Sequence, residues 1–339
     1  MRDLTVIIPA YNEEDSIADT IASLREQTAG PVEILVIDDC STDGTAAVCN
    51  ELGVEVLRPA ANTGSKAGAQ TFALDSVETE MVMALDADTT LAPDAIEKLM
   101  PAFEDPEVAA ACGSVLPRHV STIWERGRYV EYMLAFSFFK RVQEDYGKPL
   151  ISSGCFSIYR TDELRALGGW STRTMAEDMD LTWTLYRAGR KVRFLPEATS
   201  FPIEPHDLGF LGKQLRRWSH GFVQNVRLHG RSLLGLGFLR STVAVAFWDA
   251  LLATFAYLIL IPALAIAVDP LILLGYLIDA PVILVPVLWY AIERREVGRA
   301  LASFPSFFLL RIVNGVYMLR AVVNELILRR PLLVYEKGH

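Results

Sequence analysis

The feature that most constrains the fold is a regular alternation of short apolar runs and helix-length segments in the first quarter of the chain. Four runs have the length and composition of buried strands, at residues 4–8, 33–37, 54–57 and 81–85. A helix-length segment separates each run from the next. Because parallel strands need a crossover of this length, usually a helix, the alternation predicts an α/β fold with a mostly parallel, doubly wound sheet.

The last of these runs, Met81–Leu85, leads to the first candidate site residues. All of it is apolar, as expected of a strand buried on both faces of a parallel sheet. Asp86 and Asp88 follow directly, at the carboxyl end of the strand, where open α/β sheets bind ligands. Alternate side chains of a strand project to one side, so both carboxylates can face one ligand. The two carboxylates suit a Mg²⁺ or Mn²⁺ ion that also holds phosphate oxygens. Asp-x-Asp alone is a common pattern, however, so this prediction depends on further polar residues at the same edge of the sheet.

Other polar residues are expected at the same edge of the sheet. Asp38 and Asp39 follow the second run and can accept hydrogen bonds from a base or a ribose. Lys66 lies in a glycine-containing segment after the third run and offers a positive charge to phosphate. Residues 41–44 are better explained as turn formers and helix caps. Neither a G-x-G-x-x-G after the first run nor a P-loop is present in the sequence.

A catalytic base is expected at the start of a later helix. Glu177 and Asp178 begin an amphipathic segment, and acidic residues at a helix start suit the helix dipole, which fully explains Glu177. The helix dipole explains Asp178 less well. A catalytic base is missing elsewhere, since none of the five histidines lies among the polar residues that follow the predicted strands. Gly154 lies in a strand-like run at residues 151–160, and we interpret it as a position where a bulky side chain would block the approach of a neighbouring group.

The net charge of −9 hides two unlike halves. Residues 1–204 carry 18 Lys and Arg against 33 Asp and Glu, a net charge of −15. Residues 205–339 carry 14 against 8, a net charge of +6, beside long apolar runs. The acidic half argues against nucleic acid as a partner, and the basic half fits the cytoplasmic face of a membrane. The four cysteines form no Cys-x-x-Cys pair, which argues against zinc and fits reduced cytosolic thiols.

The apolar runs of the second half predict membrane helices. Residues 250–268 contain no charged residue, and residues 271–292 contain only Asp279, so each run can cross about 30 Å of hydrocarbon. Arginines flank this pair, so both flanks are expected in the cytosol. A third candidate, residues 300–328, contains Arg311, Arg320 and Glu325 and can either lie in the interface or span the bilayer, and we favour the spanning interpretation.

Between the two halves lies a basic helical segment. Gln214, Arg217 and Trp218 are spaced as neighbours on one helix face, where an amide, a guanidinium and an indole can hold a diphosphate and stack on a sugar. The same pattern also fits a basic helix at a membrane surface. The predicted organisation is a cytosolic α/β domain at 1–204, interfacial helices at 205–240, a membrane region at 241–328 and a cytosolic tail at 329–339.

Six motifs in this order resemble those of the inverting family 2 glycosyltransferases. These GT-A-fold enzymes include the membrane synthases of chitin, hyaluronan, cellulose and poly-N-acetylglucosamine. The matching segments are Pro9-Ala10-Tyr11-Asn12-Glu13-Glu14, Asp38-Asp39-x-Ser41-x-Asp43-Gly44-Thr45, Asn62-x-Gly64-x-Lys66-Ala67-Gly68, Asp86-Ala87-Asp88, Glu177-Asp178 and Gln214-Leu215-Arg216-Arg217-Trp218. Ala176 stands where the family has Thr before Glu-Asp, and Gln-x-x-Arg-Trp is typical of the processive, membrane-bound branch.

The resemblance implies a role for each matching residue. Asp178 would be the catalytic base, and Asp88, with Asp86, would hold Mg²⁺ or Mn²⁺, Asp88 being the more direct ligand and Asp86 the likelier ribose contact. The residues implied in nucleotide-sugar binding are Pro9, Tyr11, Glu13, Asp38, Asp39, Lys66, Asp86, Gln214 and Arg217. The residues implied in acceptor binding are Gly154, Cys155, Glu177 and Trp218.

The implied function is a membrane-associated inverting transferase that uses a UDP-sugar, with UDP-N-acetylglucosamine favoured, to build a β-linked glycan. A polyprenyl-phosphate glycosyltransferase is the alternative, and a transporter or scaffold is disfavoured because the motifs are intact. The protein is expected in the cell membrane, as a multi-pass protein with a cytoplasmic catalytic domain in contact with lipid. Two or three spans do not make a polysaccharide channel, so a homo-oligomer, a partner membrane protein and transfer without secretion all remain open.

Overall fold

The computed structural model describes residues 4–278 and 280–334, apart from the side chains of residues 248–250 and 253. The chain divides into two compact units. The first contains the residues up to Arg118 together with Gln143–Ile203, and the second contains His119–Val142 together with the residues from Glu204 onward. The predicted domain 1–204 therefore contains an insertion, residues 119–142, that belongs to the second unit. Asp279 and residues 335–339 of the predicted tail lie outside the described residues.

The first unit is built on one eight-stranded sheet with the order β3-β2-β1-β4-β7-β6-β8-β5. The strands are β1 (Leu4–Ala10), β2 (Glu33–Asp38), β3 (Glu55–Leu57), β4 (Met81–Leu85), β5 (Thr89–Leu91), β6 (Val108–Val115), β7 (Phe156–Arg160) and β8 (Lys191–Pro202).

The described residues of the two units also form thirteen α-helices. They are α1 (Ile17–Arg25), α2 (Thr45–Glu51), α3 (Lys66–Leu74), α4 (Ala95–Leu99), α5 (Ile123–Leu134), α6 (Lys140–Asp145), α7 (Thr161–Ala166), α8 (Glu177–Arg187), α9 (Leu208–Leu233), α10 (Gly237–Phe255), α11 (Ile261–Ala267), α12 (Ala280–Glu293) and α13 (Val297–Val322). Short 3₁₀ or π segments are Met100–Glu104, Ala135–Phe139, Ala256–Leu260, Pro270–Leu277 and Val323–Ile327.

The first four strands confirm the predicted parallel sheet. β1 pairs in parallel with β2 on one side and with β4 on the other, and β2 pairs in parallel with β3. Every residue of β4 is buried, as its unbroken apolar run predicts. β1 extends two residues beyond the predicted run 4–8, since Pro9 and Ala10 stay in register with Ile37 and Asp38.

The second half of the sheet is mixed. β7 lies between β4 and β6 and is antiparallel to both, and β5 is antiparallel to β8. β6 and β8 are parallel. Only Phe156–Arg160 of the expected run 151–160 is strand, because residues 151–155 form an irregular segment before it. The sheet is therefore mostly parallel, and each of its antiparallel pairings includes a strand that follows β4.

The second unit is helical. α5 begins with a capping box, in which the Thr122 side chain accepts from the Glu125 N–H and the Glu125 side chain accepts from the Thr122 N–H. α5 packs against α13. Gly127 allows this approach, because a Cβ there would lie 3.0 Å from the Cβ of Leu310. This packing explains why residues 119–142 join the second unit.

Two helical segments of the described residues are long and apolar enough to cross a membrane, Pro270–Glu293 and Val297–Ile327. They contain the predicted second span and the predicted third candidate. The predicted first span, residues 250–268, includes residues 250 and 253, whose side chains lie outside the described residues, and its backbone is helical up to residue 267.

We expect Gly113→Ala to destabilise the first unit by about 1–3 kcal/mol, because the added methyl group overpacks the sheet core. A Cβ at Gly113 would press on the carbonyl oxygen of Ala198 and lie 2.5 Å from the Phe156 ring. Thermal unfolding of the purified protein measures the effect. Gly298→Ala is the control, since a Cβ there meets no atom within 4 Å. Equal transition temperatures for the two variants would contradict the prediction.

Candidate active site

The carboxyl ends of β1 and β2 form two turns that hydrogen-bond to each other. The Asn12 N–H donates to the Ser41 Oγ at 3.0 Å, and the Thr42 N–H donates to the Asn12 Oδ1 at 2.8 Å. Asn12 and Cys40 have positive φ angles of 55° and 64°. Non-glycine residues adopt this conformation at a cost of about 1–3 kcal/mol, which such interlocking bonds can hold in place. These two turns therefore form a rigid surface at this edge of the sheet.

The residues predicted from the first motif lie at or beside the turn that follows β1. Pro9 is in β1, and Tyr11 exposes 39% of its surface just beyond the strand. Glu13 is buried, where its Oε2 accepts from the Ser16 Oγ at 2.7 Å and its N–H donates to the Thr45 Oγ1 at 2.7 Å. Tyr11 is therefore accessible at the sheet edge, whereas Glu13 stabilises the turn through its hydrogen bonds.

Asp38 and Asp39 are both buried, and their carboxylates accept hydrogen bonds from the chain itself. Asp38 accepts from the Ser41 N–H at 2.9 Å and pairs with Arg58. Asp39 accepts from the N–H and the Oγ1 of Thr63, at 2.7 and 2.9 Å. These bonds give both residues a structural role, and their part in nucleotide binding stays a prediction.

The ammonium group of Lys66 joins three elements of the first unit. Lys66 is the first residue of α3, which Ser65 caps by accepting from the Gly68 N–H. Its Nζ forms an ion pair with Asp86 at the end of β4, donates to the Gly154 carbonyl oxygen at 2.9 Å and lies 3.9 Å from the Glu177 Oε1. The structure therefore brings together four residues that are spread along the sequence from Lys66 to Glu177.

Asp178 lies at the first turn of α8, against the backbone of Gly154. Its Oδ2 accepts from the Gly154 N–H at 2.9 Å, and its Oδ1 accepts from the Met179 N–H at 2.8 Å. Burial raises the pKa of the Asp178 carboxyl, and the nearby Lys66 ammonium partly offsets that rise. A carboxylate with a raised pKa is a stronger base, so the arrangement suits proton abstraction.

The proximity of Gly154 to Asp178 explains the absence of a side chain there. A Cβ at residue 154 would lie 2.8 Å from the Asp178 Oδ2. The neighbouring Cys155 is partly buried, and its carbonyl oxygen accepts from the Asp86 N–H at 3.3 Å. Gly154, Cys155, Glu177 and Asp178 thus lie together, as the sequence predicts.

Asp86 and Asp88 are both partly exposed at the end of β4. The Asp88 carbonyl oxygen accepts from the Arg118 Nη2 at 2.8 Å and from the Ile203 N–H at 3.1 Å, which fixes the backbone of this turn. The Asp88 Oδ1 meets the Thr89 hydroxyl at 3.1 Å. The described residues contain no group of three or more His, Cys, Asp or Glu that could hold a metal. Two carboxylates are nevertheless the donor set of Mg²⁺ sites in which phosphate oxygens and water complete the coordination, so the residues fit such an ion.

Gln214, Arg217 and Trp218 belong to the second unit, on α9. The Gln214 Oε1 accepts from the Arg128 Nη2 at 2.6 Å, and the Gln214 Nε2 donates to Glu204 at 3.4 Å. The Arg128 guanidinium also lies over the Trp218 ring, 4.6 Å from its centroid, while Trp218 stays 39% exposed. Gln214 is therefore held inside the unit and Trp218 presents part of its ring.

Sequence reasoning missed the buried partners of this face. Arg128 and Glu204 are 1% and 3% exposed, and the Tyr132 hydroxyl donates to the Glu204 Oε1 at 2.7 Å. Burial raises the pKa of the Glu204 carboxyl, against the opposing effect of Arg128. The sequence signal is Arg128-x-x-Glu131, a pair of opposite charges one turn apart on α5, and it does not reveal the partners outside α5.

The mostly parallel sheet, with polar residues at the carboxyl ends of its strands, has the GT-A fold. Residues 5–168 match the model of the family Glycosyl transferase family 2.

Two curated relatives have similar sequences. The poly-beta-1,6-N-acetyl-D-glucosamine synthases of Staphylococcus aureus (strain MSSA476) and Staphylococcus epidermidis are 28% and 29% identical to this chain. Each alignment covers 65% of this chain and 55% of the relative. The chain thus spans about half the length of the curated relatives it matches.

A solved structure shares the fold over nearly the whole chain. It is the mannosyltransferase PcManGT from Pyrobaculum calidifontis in complex with GDP-Man and Mn²⁺, with a TM-score of 0.65 at 20% sequence identity. The match covers 96% of this chain and 88% of that chain. At this identity the likeness shows the fold alone.

We expect Gly154→Ala to lower the rate of sugar transfer by at least about tenfold, because the added methyl group would displace the Asp178 carboxylate from its backbone partner. Transfer is measured as release of the nucleoside diphosphate. Gly113→Ala, whose Cβ would press on Ala198, is the control for a crowded glycine of the same unit that lies outside the six motifs. Wild-type rates in Gly154→Ala would show that the position of Asp178 does not matter.

Proposed function

We propose that the protein is a membrane-associated inverting glycosyltransferase that transfers N-acetylglucosamine from UDP-N-acetylglucosamine to a glycan hydroxyl, forming a β linkage. The observation that carries this proposal is the placement of Asp178, held by the Gly154 N–H beside the Lys66–Asp86 ion pair at the carboxyl end of the sheet. The choice of sugar is supported by the names of the curated relatives.

In the proposed reaction the oxygen of the acceptor hydroxyl attacks the anomeric carbon from the face opposite the diphosphate. Asp178 removes the proton of that hydroxyl as the attack proceeds. A single displacement of this kind inverts the anomeric centre and needs only one base. The raised pKa of Asp178 favours that proton transfer, and the Gly154 N–H keeps the carboxylate oriented.

The leaving group is a diphosphate, and Lys66 offers it a positive charge at the start of α3. Asp88, with Asp86, would hold Mg²⁺ or Mn²⁺, which supplies charge stabilisation for the diphosphate as it leaves. Tyr11 would contact the nucleotide from the adjacent turn, with Pro9, Glu13, Asp38 and Asp39 shaping its pocket. Gln214 and Arg217 would close over the diphosphate, and Trp218 would stack on the acceptor sugar.

Membrane association is supported by the two long apolar helical segments and by the basic face of α9. The proposed location is the cell membrane, with the sheet-containing unit in the cytoplasm. A homo-oligomer or a partner membrane protein would complete a path for a long polymer, and a lipid-linked acceptor would need none.

A donor panel with product analysis tests the proposal. Purified protein is incubated with UDP-N-acetylglucosamine, other UDP-sugars or GDP-mannose, with Mn²⁺ or Mg²⁺, with and without a β-linked N-acetylglucosamine oligosaccharide. We expect release of UDP from UDP-N-acetylglucosamine and extension of the oligosaccharide. We expect Asp178→Asn to lower this rate by about 10²–10⁴-fold, the usual contribution of a general base.

Asp162→Asn is the control for Asp178→Asn, because Asp162 is a fully exposed acid on α7. No turnover of any UDP-sugar, or undiminished turnover in Asp178→Asn, would refute the proposal. Label recovered in organic-phase lipid would instead favour the polyprenyl-phosphate alternative.

A second experiment tests the metal site. We expect Asp88→Ala to weaken Mn²⁺ binding in the presence of UDP, and turnover with it, by more than the roughly 10- to 100-fold that loss of an outer partner of a metal ligand costs. Electron paramagnetic resonance of Mn²⁺ measures the binding directly. Asp75→Ala, which removes an exposed carboxylate after α3, should bind as wild type. Undiminished binding by Asp88→Ala would assign the metal to other residues.

A further inference from the structure

We propose that Arg128 is a positioning residue for acceptor binding, which holds Gln214 and Trp218 in the conformation that the reaction needs. The proposal rests on the proposed function, in which Trp218 stacks on the acceptor sugar. It concerns a buried cluster of the second unit, here named the Arg128 cluster. Its members are Arg128, Glu131, Glu204, Gln214 and Trp218.

Arg128 contacts every other member of the Arg128 cluster. Its Nη1 forms an ion pair with Glu131, its Nη2 donates to the Gln214 Oε1 at 2.6 Å, and its Nε lies 3.7 Å from the Glu204 Oε2. The central carbon of the same guanidinium lies over the Trp218 indole, 4.6 Å from the ring centroid. One side chain on α5 therefore fixes two residues of the Gln-x-x-Arg-Trp segment on α9.

The geometry requires arginine rather than a cation of any shape. A planar guanidinium can donate from its edges while its face stacks on an aromatic ring, and the compact ammonium of lysine cannot do both. The buried Glu204 carboxyl and the partly exposed Glu131 carboxylate flank this single cation, which accounts for its burial. A movement of the Arg128 guanidinium away from Trp218 would break its contacts with Glu131, Glu204 and Gln214.

The consequence is a rigid indole. Arg128 lies over the Trp218 ring, and residue Trp218 as a whole is still 39% exposed. A ring held on one face can stack on a sugar with its other face at little cost in side-chain entropy. Loss of Arg128 should therefore raise the acceptor KM while the maximum rate, which depends on Asp178, changes little.

The first test compares Arg128→Lys with Trp218→Leu and with the double variant, using UDP-N-acetylglucosamine and a β-linked N-acetylglucosamine oligosaccharide. We expect each single change to raise the acceptor KM about tenfold, with kcat within about twofold of wild type. The double variant should also show about a tenfold rise rather than a hundredfold one, because both changes remove the same arrangement.

Arg160→Lys is the matched control. Arg160 also donates to several acceptors, including the carbonyl oxygens of Val108 and Phe103, and lies over the Phe103 ring at 5.6 Å. It pairs with Met81 at the end of β4 away from Asp86, so the same chemical change occurs far from the candidate site. We expect Arg160→Lys to leave the acceptor KM unchanged.

A second readout does not depend on the donor or on turnover. Acrylamide quenching of Trp218 is obtained as the difference between a protein and its Trp218→Phe counterpart. We expect the quenching constant of Trp218 to rise at least about twofold in Arg128→Lys, because the ring loses its cover. If Arg128→Lys lacks a cooperative thermal transition, Glu131→Gln replaces it, since it loosens the guanidinium from a partly exposed partner, and it should shift both readouts in the same direction.

Unchanged quenching, additive effects on the acceptor KM, or an equal effect of Arg160→Lys would each overturn the positioning role of Arg128. These outcomes are distinct from failure of the proposed function. Absence of turnover in the wild-type protein refutes the function, while the quenching of Trp218 still decides what Arg128 does.

Discussion

The ammonium group of Lys66 is the interaction on which the candidate site depends. It neutralises Asp86, reaches the carbonyl oxygen of Gly154 and lies near Glu177, at a place where three carboxylates would otherwise repel one another. The Gly154 backbone in turn donates to Asp178. The turn proposed to bind a metal, the segment proposed to bind the acceptor and the proposed base are thus linked through one cation, and removal of that cation would disturb all three.

The same linkage shows what the sequence can and cannot predict. The unbroken apolar run of β4 correctly predicted a buried parallel strand, and the site at its carboxyl end stays a prediction. The run at residues 151–160 was predicted to be strand throughout, yet its first half is irregular. That irregular half lets Gly154 approach Asp178 without a side chain between them, and no local pattern of hydrophobicity encodes such a distant contact.

The Arg128 cluster was beyond sequence reasoning for a related reason. Glu131 lies one turn from Arg128 on α5, whereas Glu204 and Gln214 come from segments more than seventy residues away. Periodicity identifies the faces of a helix, but a buried arginine requires compensation that only tertiary structure supplies. The Gln-x-x-Arg-Trp pattern correctly placed Gln214 and Trp218 on α9 and gave no sign of the side chain that holds them.

The charged residues of the last apolar helices raise the question of how a bilayer could accommodate them. Arg311 lies over the rings of Tyr257 and Phe307, at 5.0 and 5.8 Å, so its cation faces aromatic groups of the same unit. The Glu325 Oε1 meets the His220 Nδ1 at 2.7 Å and accepts from the Gln224 amide and the Leu332 N–H. Charged groups within an apolar segment are costly when they face lipid and tolerable when protein partners surround them. The structure supplies such partners for Arg311 and Glu325. Arg320, the third charged residue of the segment, is exposed and lies over the Tyr317 ring, so the spanning interpretation of residues 300–328 stays a prediction.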